Sequence, residues 1–92
     1  MLRKDQENKV IELCREMIRA KSYSGQEQDA GKVLENFFRA NGYDEVIRDR
    51  YGNVIGHIRG KQPGPKILFD GHMDTVPVTD ESEWPFPPFE AV

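Results

Sequence analysis

Lys66-Ile67-Leu68-Phe69-Asp70-Gly71-His72-Met73-Asp74-Thr75-Val76-Pro77 is the stretch around which the rest of the chain is arranged. Ile67-Leu68-Phe69 run without a polar break, as strands buried on both faces do. The run predicts a central strand covered by helices. It leads through Asp70 and Gly71 to His72, so burial of the strand brings a histidine to one fixed place. That place is the C-terminal end of a strand, where open α/β sheets put their ligands.

Upstream, two helices supply the cover. Val10, Leu13, Cys14, Met17 and Ile18 fall at i, i+3, i+4, i+7 and i+8 and predict an amphipathic helix over about residues 5–20. Cys14 lies on its apolar stripe and is expected as a small core residue. Ser24 and Glu27 have capping-box spacing, and Ala30, Val33, Leu34, Phe37 and Phe38 repeat the helical pattern up to a stop at Asn41-Gly42. Tyr43–Arg50 and Val54–Arg59 read as strands joined by a turn at Tyr51-Gly52-Asn53. In the second of these, Val54, Gly56 and Ile58 point one way, while Ile55, His57 and Arg59 point the other. The order helix, helix, strand, strand, strand argues for an α/β layered fold, two N-terminal helices on a partial mixed sheet. Glu83-Trp84-Pro85-Phe86-Pro87-Pro88-Phe89 is expected to be an ordered loop.

Composition narrows the class. The 92 residues suffice for one small domain, with 32% charged and 37% hydrophobic residues and a net charge of -3. Such a chain is not basic enough for nucleic acid, nor polar enough for disorder. It has no apolar run of bilayer length and its N-terminus is too charged for a secretion signal, which places it in the cytoplasm. A lone cysteine excludes an internal disulfide framework and fits a reducing compartment. The chain closes on Phe89-Glu90-Ala91-Val92 without a final helix or polar tail, as a piece of something longer would.

Residues two apart on a strand share a face, so Asp70, His72 and Asp74 can project together. Imidazole suits zinc, and a neighbouring carboxylate can take the second ring N–H and fix the tautomer. His72 then reads as a metal ligand and Asp74 as the catalytic-site carboxylate that orients it. The same residues also suit a polar turn at a strand end, hydrogen-bonded locally. A catalytic zinc takes three protein ligands, and beyond Asp74 the chain offers Asp80, Glu81, Glu83 and Glu90 but no further histidine. Asp80 to Glu83 reads more simply as a solvated acidic turn, and His57 as an isolated strand residue.

Gly71-His72-Met73-Asp74-Thr75-Val76-Pro77, followed by Trp84 and Pro88-Phe89, resembles the zinc-dependent exopeptidases and deacylases. Acetylornithine deacetylase, succinyl-diaminopimelate desuccinylase and related carboxypeptidases typify that family. Ser22-Tyr23-Ser24-Gly25-Gln26-Glu27 and Tyr51-Gly52-Asn53-Val54-Ile55 resemble its N-terminal pattern. The resemblance implies a two-zinc catalytic domain, with cobalt or manganese as other possible metals, acting on N-acyl amino acids or small peptides. It matches His72 to the first zinc-binding histidine and Asp74 to the carboxylate that orients it. Residues 1–92 then correspond to the N-terminal portion of the catalytic domain, with no second domain, no nucleic-acid or membrane partner, and an exposed sheet edge able to self-associate. The chain stops before the metal-bridging aspartate and lacks the glutamate pair and the distant second histidine, so alone it is expected to be inactive. The alternative is a non-enzymatic interaction module that recruits a partner through the sheet edge and the proline and aromatic segment.

Overall fold

The computed structural model describes residues 2–91, so Val92, the last residue of the closing segment, lies outside the described residues. The arrangement is α/β. Helices α1 (Lys4–Arg19) and α2 (Gln28–Ala40) precede strands β1 (Glu45–Arg48) and β2 (Val54–His57), and a 3-10 turn comes after them at Glu81–Glu83. No helix is long and apolar enough to cross a membrane among the described residues.

The best-packed part is the layer of α2 on the hairpin. Ala30 is fully buried, and Val33, Leu34, Phe37 and Phe38 are half-buried along the same stripe. Gly42, at φ 76°, turns the chain out of α2, and the Tyr43 N–H donates to the Phe38 carbonyl at 3.3 Å. That bond links the second residue past the cap to the third from the helix end, the closure in which an apolar contact accompanies the turn. Here the contact is aromatic: the Phe38 and Tyr43 rings stack with centroids 4.3 Å apart. Gly56 of β2 lies against both rings, and a Cβ there would meet Tyr43 at 2.6 Å and Phe38 at 2.8 Å.

Strands β1 and β2 are antiparallel, with Val46 opposite Gly56 and Ile47 opposite Ile55. Val46, Arg48, Val54 and Gly56 are half-buried, whereas Ile47 and Ile55 remain 47% and 46% exposed on the other face. Asp49 closes the turn. Its carboxylate accepts the Tyr51 and Asn53 N–H groups, both at 2.9 Å, and the Asn53 side-chain amide at 2.8 Å. The Asn53 side chain first, and these backbone donors with it, hold the Asp49 carboxyl below the usual aspartate range.

Three expectations fail in detail. First, Ile67-Leu68-Phe69 do not form a central strand: Lys66 to Asp74 carry neither helix nor strand, and the three side chains are 76%, 85% and 91% exposed. A strand exists only through ladder bonds to a neighbour, and neither β1 nor β2 pairs with this segment. Among the described residues the sheet is therefore two-stranded and antiparallel rather than mixed. Second, α1 packs on α2 and touches neither strand, so its stripe is half covered and Cys14 is exposed. Third, α2 begins at Gln28, and the Glu27 carboxylate accepts from the Gly25 N–H at 2.8 Å instead of closing a box with Ser24. The radius of gyration, 15.5 Å, exceeds the roughly 12 Å of a compact domain this long.

Two measurements test this account. Gly56→Ala is expected to cost about 1–3 kcal/mol in urea denaturation, the range for overpacking, because the new methyl group meets two rings. Asp49 prefers its charged form in the folded chain, so its contribution is complete above the ordinary aspartate range and fades as pH falls through its lowered value. Asp49→Asn keeps an acceptor but cannot titrate, and is expected to make the loss of stability below about pH 4 shallower.

Candidate functional site

Helix α1 ends at Arg19, and Lys21 takes a positive φ of 36° immediately beyond the cap. This reversal turns Ser22 inward, where it is 5% exposed and is the buried polar side chain among the described residues. Ser22 meets the segment after His72 with both of its oxygens. Its Oγ donates to the Met73 carbonyl at 2.6 Å, and its own carbonyl accepts the Thr75 N–H at 2.7 Å. Tyr23 and Thr75 form an isolated parallel bridge, and the Tyr23 hydroxyl accepts the Val78 N–H at 3.5 Å.

The histidine and its neighbour are held on this anchored segment. His72 Nδ1 lies 2.9 Å from Asp74 Oδ1 and 3.0 Å from the Asp74 carbonyl oxygen. Two acceptors face one ring nitrogen, so Nδ1 carries the proton of the neutral ring and Nε2 presents the lone pair. The two side chains are 84% and 40% exposed, and Nε2 can therefore be reached by an incoming metal or partner. Of the three residues expected to project together, His72 and Asp74 meet. Asp70 is exposed and makes no hydrogen bond or ion pair among the described residues.

The remaining candidates have structural roles. His57 ends β2 opposite Glu45. Asp80 caps the 3-10 turn, accepting from the Ser82 hydroxyl at 2.5 Å and the Ser82 N–H at 3.0 Å, and these bonds hold its carboxyl below the ordinary range. Asp80 to Glu83 is thus an exposed acidic turn, as the sequence reads. A groove of about 380 Å3 beside the anchored segment is lined by Met17, Ile18, Val76 to Thr79, Trp84 and Phe89. Phe89 packs edge-on against Tyr23 with centroids 5.7 Å apart, and Lys21 Nζ sits 4.6 Å from the Phe89 ring centre.

The donor set fits one ligand of a zinc site. An imidazole with Nδ1 committed to a carboxylate and Nε2 open is the arrangement that zinc takes. No group of three histidine, cysteine or acidic side chains is placed to hold a metal among the described residues.

No family model matches the chain, and no solved structure matches it. A protein of Thermococcus kodakarensis provisionally described as a LysW-lysine/LysW-ornithine hydrolase is 39% identical over 67 residues, 73% of this chain and 19% of that protein. The chain is thus similar to part of a hydrolase and spans about a fifth of the relative's length. It is one of 112 curated proteins that match, so the likeness is not confined to one sequence.

The sequence pairs His72 with Asp74 by spacing, and carries Ser22 and Tyr23 only within a stretch of family resemblance that assigns neither of them a role. Ser22 has no signal in spacing, because its role depends on a contact 51 residues away. Phe89→Ala is expected to cost about 1 kcal/mol, the scale of an aromatic pair beyond its buried area, and to remove the ring-current shift of the Tyr23 resonances in NMR spectra.

Proposed function

We propose that residues 1–92 are the N-terminal portion of the catalytic domain of a metal-dependent hydrolase that cleaves amide or peptide bonds, of the N-acyl amino acid deacylase or dipeptidase type. The observation that carries this reading is the His72 Nδ1 to Asp74 Oδ1 contact of 2.9 Å, which leaves Nε2 open in a reachable place. The likeness to a hydrolase whose name pairs lysine or ornithine with a second group supports the same substrate class.

In this reading His72 is one metal ligand, and Asp74 is a positioning residue that fixes the ring's tautomer and aim. Zinc bound there supplies a Lewis acid and lowers the pKa of a bound water. Cobalt or manganese suits the same donors less specifically. The further ligands and the general base lie on the rest of the domain, so residues 1–92 alone are inactive. The exposure of Ile67, Leu68 and Phe69 accords with this, since further strands would cover them. The same exposure favours the second reading, an interaction module, in which those side chains and Trp84 meet a partner protein. In both readings the protein is cytoplasmic.

The deciding experiment extends the chain past Val92 with its downstream coding sequence. The extended protein is expected to bind two zinc ions per chain and to hydrolyse N-acyl amino acids or dipeptides. His72→Ala is expected to lower kcat/KM by at least about a hundredfold, comparable to removing one preorganised catalytic group. An extended, folded protein that binds no metal rules out the hydrolase reading, and capture of a proline-recognition domain by its 84–88 segment then favours the module.

A further inference from the structure

The two hydrogen bonds that Ser22 makes to the anchored segment fall on either side of one residue, Asp74. The Met73 carbonyl belongs to the peptide group before Asp74, and the Thr75 N–H belongs to the peptide group after it. Each bond holds one atom of a planar peptide group, so together they restrain the Asp74 backbone torsions and with them the direction of its side chain and carbonyl. The second of those planes does more. One amide carries the Thr75 N–H, which donates to the Ser22 carbonyl, and the Asp74 carbonyl, which faces His72 Nδ1 at 3.0 Å. An amide that donates at one end is a better acceptor at the other, because bonds in a chain polarise one another.

We propose that Ser22 is a positioning residue for His72: through the two peptide groups that flank Asp74 it fixes the Nδ1–H tautomer and leaves Nε2 as the lone-pair nitrogen. The proposal deepens the metal-site reading and rests on it for the use of that lone pair. The tautomer itself is a property of residues 1–92 without metal. A buried serine that merely tied two segments together would stabilise the chain without acting on the ring. Tyr23 is such a tie: its hydroxyl accepts the Val78 N–H, beyond both peptide groups of Asp74.

The test is NMR on the metal-free 92-residue chain at pH above 8, reading the nitrogen-15 shifts of both His72 ring nitrogens, with exposed His57 as internal reference. The wild-type chain is expected to hold His72 as Nδ1–H. Ser22→Ala removes the Oγ bond to the Met73 carbonyl and keeps the backbone carbonyl that accepts the Thr75 N–H; loss of the side-chain hold alone is expected to shift the ratio at least about threefold toward the Nε2–H form favoured by solvated histidine, on the scale of losing part of one net hydrogen bond. Tyr23→Phe, which also removes one hydroxyl contact, is expected to leave the ratio unchanged. Circular dichroism establishes that each variant keeps its helices. If Ser22→Ala does not fold, Ser22→Cys keeps the shape with a weaker donor and is expected to shift the ratio the same way. An unchanged ratio in whichever serine variant folds, or an equal shift in Tyr23→Phe, overturns the proposal. Because no metal is present, this outcome is independent of whether the extended protein binds zinc.

Discussion

The Ser22 carbonyl and the Thr75 N–H, 2.7 Å apart, form the bond on which the second half of the molecule depends. Before Gly60 the chain is held by helices and a hairpin. From Gly60 to Asp74 it has no regular structure, and the residues beyond are positioned by their attachment to the linker after α1. The bond matters because it is backbone to backbone and backed by the buried Ser22 hydroxyl on the Met73 carbonyl. A buried hydroxyl left unpaired would cost about 1–3 kcal/mol, so Ser22 is stable inside only when the segment is docked. The aim of His72, the wall of the groove and the seat of Phe89 all depend on that docking.

Local features of the fold were legible in the sequence where local physics decides them. The stripe of α2 fixed its buried face and Gly42 marked its end; alternation separated Val54 and Gly56, which are half-buried, from Ile55 and His57, but Ile58, grouped with the first two, is exposed beyond the strand. The features that depend on distant partners were not legible. Ile67-Leu68-Phe69 has the composition of a central strand, yet composition cannot supply the neighbour that makes a strand. Cys14 sits on an apolar stripe whose covering surface is half present, because α1 meets one helix and no sheet. Ser24 and Glu27 have the spacing of a capping box, but Glu27 met the nearer Gly25 N–H and the helix started one turn later.

For the candidate site the division is similar. The pairing of His72 with Asp74 was readable, since two residues apart on an extended segment share a face. Asp70 obeys the same spacing and stays apart, because the segment ahead of Gly71 has no neighbouring strand to hold it extended. Ser22 and Tyr23 stand in the sequence within a stretch of family resemblance, with no role legible for either. Their contribution comes from a left-handed Lys21 that turns them inward, and lysine is not a residue from which such a turn is read.

The 51-residue separation of Ser22 and Met73 also orders the assembly of the molecule. The α2 cap and the hairpin are built from contacts close in sequence and can form on the microsecond scale of helices and hairpins. Bringing Ser22 to Met73 closes a loop whose entropic cost grows with length, about 3.5 kcal/mol for this separation before any constant. That closure costs less once the intervening helix and hairpin have shortened the gap. The cost of that closure favours docking the histidine's segment after the helix and hairpin have formed. By the same cost, the segment is expected to open more readily than α2 and the hairpin.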